Sequence, residues 1–204
     1  MTNAHFHRGG YEAFLLTGGR EVRFFGVHPW QAGESGRAAA FGAVRAALAA
    51  DPGAGVGEIG LDRLRAPRVD DAQRELFGRQ LELAAELRRV VALHGAKCWG
   101  EVVRQCRPYA GRIPAFLFHG FSRADGLLPE IVALNGFVSV GPAVLNDHAV
   151  NYRALVRKIP RDRLLVETDA AADVRIETVF AKVEELTGID EAALDRNAER
   201  MLGS

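Results

Sequence analysis

Short apolar runs alternate with longer amphipathic stretches along most of this chain. The runs are rich in Val, Ile, Leu and Phe, and those that are apolar on both faces are typical of parallel strands buried beneath helices. We therefore predict strands at 21–27, 54–60, 89–94, 114–119, 136–141 and 163–168, with weaker candidates at 3–7 and 12–17.

The stretches between these runs show helical periodicity. The clearest stripe follows Asp70 and Asp71, either of which could cap a helix, and passes through Leu76, Phe77, Gln80, Leu81, Ala84 and Leu87. Further helices are predicted at 38–49, 99–106, 127–134, 149–156, 174–186 and 190–201. Strands and helices that alternate in this way indicate βαβ units.

Seven or eight strands in this order fit a (β/α)₈ barrel better than an open sheet. Between His7 and Val27 there is room for one or two strands and tight turns, one of them at Gly18-Gly19, but not for a full helix. We predict an α/β fold, a distorted and minimal TIM barrel whose early helices are shortened or missing. No linker or low-complexity tract interrupts the chain, so 1–204 is expected to be a single domain.

Composition adds limits on partners and location. The 204 residues are 48% hydrophobic and 25% charged, as in an ordinary globular domain. Twenty-six basic side chains balance twenty-six acidic ones, so no overall field would attract nucleic acid or an anionic membrane. The longest apolar stretches are shorter than the roughly 18–20 residues that span a bilayer, and the polar start is not typical of a signal peptide. We expect a cytoplasmic protein without a membrane partner.

Ionisable residues stand where the predicted strands end. His5 and His7 are two apart on one strand and therefore point to the same face. The remaining candidates each belong to the end of a different strand: His28, Glu58, His94, His119 and Asp169. Because the carboxyl ends of barrel strands converge on one mouth, where barrel enzymes assemble their active sites, we expect these side chains to lie together.

This mixture of imidazoles and carboxylates suits a divalent metal ion. Any one of the residues could instead be a hydrogen-bonded structural group, but their joint placement favours metal binding. Four histidines and two carboxylates exceed what one tetrahedral ion needs, so we infer two ions, with Zn²⁺, Mn²⁺ and Mg²⁺ left open.

Seven motifs in order make the sequence resemble the TatD family of metal-dependent hydrolases, within the amidohydrolase superfamily. They are HFH at 5–7, FGVHPW at 25–30, VGEIGLD at 56–62, ALH at 92–94, FHGFS at 118–122, IPRDRLLVETD at 159–169 and NAERML at 197–202. The short segment between His7 and His28 makes the chain look like a compact branch of that family.

The resemblance implies a distorted TIM barrel with a dinuclear centre. On the family pattern, one ion would be held by His5, His7 and Asp169, the other by His94 and His119, and Glu58 would bridge them. A water shared by the two ions would be the nucleophile, and Asp169 would be the general base that takes up its proton.

The sequence suggests roles for five further residues near the centre. His28 is expected to contact substrate or to support a ligand, and Lys97 to attract an anionic phosphate where the family often carries Arg two residues after His94. Glu167 could orient a histidine by accepting its second N–H. Asn3 stands where the family usually has Asp, so it keeps a hydrogen bond without the charge. Asp62 is expected to be a solvated residue at the mouth.

The activity that the resemblance implies is a metal-dependent phosphodiesterase of the deoxyribonuclease kind that trims single-stranded DNA from the 3′ end. A small phosphoester is a second possible substrate. The same ligands could serve a hydrolase of a small ester or amide, similar to a D-aminoacyl-tRNA deacylase. A third hypothesis is a non-catalytic binding subunit that retains the barrel. The sequence leaves the oligomeric state open.

Overall fold

A computed structural model describes residues 1–7, 13–64, 70–122, 124–171 and 173–203. Within these ranges, eight strands form one sheet in chain order, β1 to β8. Their bounds are Asn3–His7 (β1), Ala13–Thr17 (β2), Arg20–Phe25 (β3), Gly55–Asp62 (β4), Val91–Ala96 (β5), Phe116–Phe118 (β6), Gly136–Val140 (β7) and Leu164–Val166 (β8).

The sheet closes on itself just beyond β8. Phe6 of β1 forms a parallel bridge with Asp169, and the Asp169 N–H donates to the His5 carbonyl at 3.0 Å. The strands from β3 to β8 also pair in parallel. The predicted α/β barrel is therefore confirmed, and its carboxyl-end mouth carries His5, His7 and Asp169 close together.

The expectation that the buried runs are parallel is wrong for β2, which pairs antiparallel with both β1 and β3. The cause is the turn at Gly18 and Gly19, whose φ angles of 53° and 76° suit the two-residue turn of a tight hairpin. No helix is found in the described residues before Pro29. A reversed strand thus occupies the place where helices would connect parallel strands.

Seven α-helices follow within the described ranges, each close to a predicted one. They are Arg37–Ala50 (α1), Asp71–Leu87 (α2), Trp99–Cys106 (α3), Leu128–Ala133 (α4), Val150–Val156 (α5), Ile176–Thr187 (α6) and Glu191–Leu202 (α7). Asp70 is the cap of α2, because its side chain accepts the Gln73 N–H at 2.8 Å. None of these helices is both long and apolar enough to cross a membrane.

The hydrophobic core has two parts. The larger part lies between the strands and the helices, and the smaller part combines Leu15 and Phe24 of the early strands with Ala198 and Met201 of α7. Helix α7 also packs on β2 and β8. It therefore covers β2, a strand that is not followed by a helix, and the polar residues lie at the carboxyl-end mouth of the barrel.

Candidate metal centre

The mouth of the barrel gathers seven ionisable side chains from six strands or from the residues just after them. Three overlapping groups have ligand atoms that all lie within 4.8 Å of one another: His5, His119 and Asp169; His5, His7 and Glu58; His28, Glu58 and His94. Every residue that the sequence singled out as a metal ligand belongs to at least one group. The strand alternation brings His5 and His7 to one face, as predicted.

Glu58 of β4 lies at the middle of this cluster, and its two oxygens face different histidines. Oε2 is 3.5 Å from His5 Nε2 and 3.4 Å from His7 Nε2. Oε1 is 2.5 Å from His94 Nδ1 and 2.6 Å from His119 Nε2. A carboxylate that divides its oxygens between two sets of imidazoles has the geometry of a bridging ligand.

Charge at Glu58 is stabilised by the same neighbours. Burial alone would raise the pKa of this carboxyl, but His119, His28 and His5 outweigh burial and hold the pKa well below its usual range. Burial likewise lowers the pKa of His119, yet Glu58 and Glu167 outweigh it and raise that pKa well above the ordinary value. The centre therefore keeps an ionised carboxylate out of bulk water, which is the form a metal ligand needs.

The spacing of the donor atoms on the Oε2 side fits a divalent ion. A tetrahedral ion with bonds of about 2.0–2.1 Å holds its ligand atoms about 3.3 Å apart. His5 Nε2 and His7 Nε2 are 3.2 Å apart, and His7 Nε2 is 3.5 Å from Asp169 Oδ1. With the two contacts to Glu58, four separations lie near that length. Imidazole nitrogens and carboxylate oxygens are also donors that Zn²⁺ and Mn²⁺ accept.

Asp169 completes the centre from the segment after β8. Its φ of 50° lies in the left-handed region, which costs energy for a residue with a Cβ. Asn3 fixes the preceding residue, because Asn3 and Thr168 exchange two hydrogen bonds of 2.9 and 3.1 Å. Burial would raise the pKa of Asp169, but His7, His119 and His5 lower it to about 2. The same pairing, first with Asp169 and then with Glu58, raises the pKa of His7 to about 9.

His28 faces the cluster with a defined nitrogen. Its Nδ1 accepts the Trp30 backbone N–H at 3.2 Å, so a neutral ring carries its proton on Nε2. That Nε2 lies 3.5 Å from Glu58 Oε1. Burial lowers the pKa of His28 more than Glu58 raises it, which favours the neutral ring. The geometry thus favours His28 as an N–H donor to oxygen over His28 as a ligand, which would need a lone pair on Nε2.

The expectation that Asp62 is solvated is wrong. Asp62 is 1% exposed, its Oδ2 accepts the Trp30 Nε1–H at 2.6 Å, and the same oxygen lies 2.9 Å from His94 Nε2. The sequence did contain a signal for this: Asp62 is four residues after Glu58, and in a strand an even separation places both side chains on the same face.

Glu167 lies beside His119 but uses its oxygens mainly on other donors. Oε1 accepts the Gly120 N–H at 2.8 Å, and Oε2 accepts the Ser139 hydroxyl. The distance from His119 Nδ1 to Oε1 is 3.9 Å, which is an ionic contact longer than a hydrogen bond. Glu167 therefore ties β6 and β7 together beneath His119.

Two cavities flank the cluster and meet at Gly120, Ser122 and Asp169. One has a volume of about 880 Å³ and extends over Val150 and Tyr152. The other, of about 460 Å³, extends over Leu64 and is lined by His94, Trp99 and Lys97. The side chain of Lys97 is exposed. Both cavities open directly from the cluster, so a substrate could extend to either side of it.

Comparison with known proteins assigns the chain to a family. A sequence model of the family described as TatD-related DNase matches residues 16–200 of the chain. The chain belongs to the TatD family. This membership accounts for the order of the motifs along the sequence and for the strand ends at which they lie.

Curated relatives in the TatD family are longer than this chain. A protein named 3′-5′ ssDNA/RNA exonuclease TatD, from Pectobacterium carotovorum, is 34% identical over 146 residues, which cover 71% of this chain and 56% of the relative. A protein of Bacillus subtilis named uncharacterized metal-dependent hydrolase YabD is 30% identical over 114 residues, covering 56% of this chain and 45% of its own. The chain thus spans about half the length of the curated relatives it matches.

Solved structures of other proteins superpose on most of the chain. The crystal structure of YJJV, a TatD homologue from Escherichia coli K12, has a TM-score of 0.76 at 26% identity and covers 89% of this chain and 76% of its own. The crystal structure of an uncharacterized amidohydrolase from Saccharomyces cerevisiae has a TM-score of 0.69 at 18% identity and covers 87% of this chain and 78% of its own. The second likeness concerns the fold alone.

Proposed function

We propose that this protein is a divalent-metal-dependent phosphodiesterase that removes nucleotides from the 3′ end of single-stranded nucleic acid. The observation that carries the proposal is the position of Glu58 between two sets of histidines. The names of the exonuclease relatives support the nucleic-acid substrate. Because the chain matches only about half the length of those relatives, its activity has to be measured directly.

Two ions would be held by the residues of the cluster. His5, His7 and Asp169 would bind one, His94 and His119 the other, and Glu58 would contact both. When bound, such ions lower the pKa of a shared water and stabilise negative charge on the attacked phosphoryl group. About half of the Asp169 side chain is open to the cavities, so its carboxylate could accept the proton of the attacking water.

His28 and Lys97 would act on the substrate. The N–H on His28 Nε2 points into the centre, where it could donate to a phosphoryl oxygen. Lys97 lines the smaller flanking cavity and would attract the next phosphate as a point charge. Because the whole chain has no net charge, binding of nucleic acid would depend on such local groups.

The rim of the mouth supports a substrate with apolar groups as well as charge. Trp30 is 38% exposed, Leu64 64% and Val150 68%. Val150 lines the larger flanking cavity and Leu64 the smaller one, and Trp30 lines a third cavity of about 200 Å³ beside Glu58. Unpaired bases offer flat faces on which an aromatic side chain such as Trp30 can stack, whereas the faces of paired bases are covered by their neighbours. This rim supports single-stranded rather than double-stranded substrates.

One observation favours a second candidate, a hydrolase of a small ester or amide. No Lys or Arg is among the described residues that line the larger cavity, whose apolar lining includes Pro142, Ala143 and Val150. A neutral acyl substrate would suit that cavity. The same two ions could polarise a carbonyl group instead of a phosphoryl group.

The test is a cleavage assay with a 5′-labelled single-stranded oligonucleotide, as DNA and as RNA, in Mg²⁺, Mn²⁺ or Zn²⁺ and in EDTA. Wild type should shorten the strand from its 3′ end only with metal. Asp169→Asn should lose most activity, by about 10²-fold or more, because the proton acceptor is lost. Asp173→Asn, an exposed acidic residue nearby, is the matched control and should act as wild type.

Metal-loaded wild type that leaves both oligonucleotides intact would contradict the nuclease proposal. Chelator-sensitive hydrolysis of small esters or amides by the same preparation would then favour the second candidate.

A further inference from the structure

Asp62 lies at the end of β4 with its carboxylate fully engaged. Oδ1 accepts the Leu64 N–H at 2.5 Å, and Oδ2 accepts the Trp30 Nε1–H at 2.6 Å. Oδ2 also lies 2.9 Å from His94 Nε2. Both oxygens of this buried group therefore receive donors, which is what an ionised carboxylate requires away from water.

The contact with Asp62 determines where His94 carries a proton. An ionised carboxylate can only accept hydrogen bonds, so the His94 nitrogen that faces it, Nε2, carries the N–H. Nδ1 faces the centre, 2.5 Å from Glu58 Oε1, so without an ion it can also donate to an ionised carboxylate. A His94 that gives up one proton to bind an ion at the centre would keep the Nε2 proton, which Asp62 accepts, and would offer the lone pair of Nδ1.

We propose that Asp62 is a positioning residue that fixes the tautomer of His94, so that Nδ1 is the nitrogen offered to a divalent ion beside Glu58. This inference rests on the metal centre proposed above. Carboxylates that accept the second N–H of a ligating histidine both fix the ring and make it a stronger ligand.

Helix α2 holds Asp62 in place for this role. The side-chain amide of Gln73 forms two hydrogen bonds with the Asp62 main chain: Oε1 accepts its N–H at 2.9 Å, and Nε2 donates to its carbonyl at 3.2 Å. Gln73 is itself buried in the first turn of α2. The carboxylate thus starts from a backbone fixed on both sides, which limits its movement away from His94.

The variant Asp62→Asn separates this role from simple packing, because an amide has one acceptor where the carboxylate has two. If the amide oxygen stays with Leu64, the NH₂ group faces His94 Nε2 and favours a proton on Nδ1, where it would block the ion. If the oxygen stays with His94, the Leu64 N–H loses its acceptor and His94 loses the negative charge. Binding at His94 weakens in both cases.

The experiment titrates the purified full chain with Zn²⁺ by calorimetry and records long-range ¹H–¹⁵N spectra of its histidines when loaded. Wild type should bind two equivalents, with His94 bonded through Nδ1 and protonated at Nε2. Asp62→Asn should weaken one of the two sites by about 10–100-fold and leave the other within a few-fold. Trp30→Phe, which removes the other side-chain donor to Oδ2, is the matched control and should keep both sites.

The outcomes separate this inference from the metal centre on which it rests. Wild type that binds no Zn²⁺ would overturn the centre and this inference with it. Two intact sites in a folded Asp62→Asn protein would overturn the inference alone. Coordination through His94 Nε2 in the wild-type spectrum would do the same, and that measurement does not depend on whether the variant folds.

Discussion

Gln80 of α2 holds the backbone N–H and carbonyl of Val27 with the two ends of its side-chain amide. Oε1 accepts the Val27 N–H at 2.7 Å, and Nε2 donates to the Val27 carbonyl at 3.0 Å. Gln80 is fully buried and lies two helical turns after Gln73, which holds Asp62 in the same way. One face of α2 therefore fixes two strand ends, one of which leads into His28.

Replacing Gln80 by Met should destabilise the protein by about 2–4 kcal/mol. Met has a similar length, but it leaves the buried Val27 N–H and carbonyl without partners, at about 1–3 kcal/mol each. For a chain of this size the melting temperature should fall by roughly 5–15 °C.

Thermal and urea unfolding measure the effect. Glu86→Met, at an exposed position of the same helix whose partner is Arg45, is the control and should change stability by less than about 1 kcal/mol. Equal losses of stability in the two variants would mean that the two hydrogen bonds from Gln80 to Val27 contribute no more than an exposed ion pair.

Glu167→Gln should lower both stability and activity. The carboxylate accepts the Gly120 N–H with one oxygen and the Ser139 hydroxyl with the other, and an amide can accept at one of these positions only. We expect a loss of about 1–3 kcal/mol in unfolding free energy. In a double-mutant cycle with Ser139→Ala, the two losses should not add, and additive losses would show that Glu167 and Ser139 are not coupled.

Removing metal should lower the melting temperature. An ion that binds the folded chain and not the unfolded one adds about 2.7 kcal/mol at a free concentration one hundred times its Kd, which corresponds to roughly 5–10 °C here. Scanning calorimetry in Mn²⁺ and in EDTA measures the difference. A Glu58→Gln and Asp169→Asn double variant should show little or no difference, and a shift as large as that of wild type would place the ion elsewhere.

Metal-free protein should lose stability as pH rises from neutral to about 9. Asp169 and Glu58 raise the pKa of His7 from 6.5 to about 9. A raised pKa in the folded state contributes stability that is complete below pH 6.5 and is lost as pH rises through 9. The effect is at most about 3.5 kcal/mol, because each pKa unit corresponds to about 1.4 kcal/mol.

Urea unfolding in EDTA at pH 6, 7.5 and 9 tests this, with His7→Gln beside wild type. The variant should have a flatter profile over that range. A wild-type profile as flat as that of the variant would contradict the coupling of His7 to the two carboxylates.

Cys98 should be inert in the folded protein although it lies near the mouth. It is 5% exposed, its Sγ donates to the Leu61 carbonyl, and burial raises the pKa of the thiol to about 12. Since the thiolate is the reactive form, alkylation by iodoacetamide at pH 8 should be far slower than for a free thiol. Mass spectrometry with and without urea compares the two states, and rapid native labelling would contradict the buried assignment.

The periodic patterns of the sequence predicted the elements well, because burial on one or both faces leaves a regular trace in residue type. They could not give the direction of β2, since the pattern of residue types along a strand does not show whether the strand pairs parallel or antiparallel with its neighbours. The pair Gly18-Gly19 carried that information, because two residues with positive φ make a two-residue hairpin turn.

The centre was predictable where side chains sit at strand ends, and less so where distant elements support them. His5, His7, Glu58, His94, His119 and Asp169 could be placed at one mouth from topology alone. The hydrogen bonds from Gln73 and Gln80 could not, because each joins a helix to a strand end through a contact that no local pattern records. Gln80 lies in the predicted buried stripe, and a buried polar side chain needs a hydrogen-bond partner elsewhere in the fold.

The antiparallel strand β2 also affects the order in which parts of the barrel can fold. Its pairs are local: Phe6 with Phe14 and Leu15 with Val22 are fewer than ten residues apart. Closure instead joins Phe6 to Asp169, across nearly the whole chain. Near contacts close faster than distant ones. We therefore expect the first two histidines to come into register before Asp169 joins them, so an ion held by all three would bind only to chains whose barrel has closed.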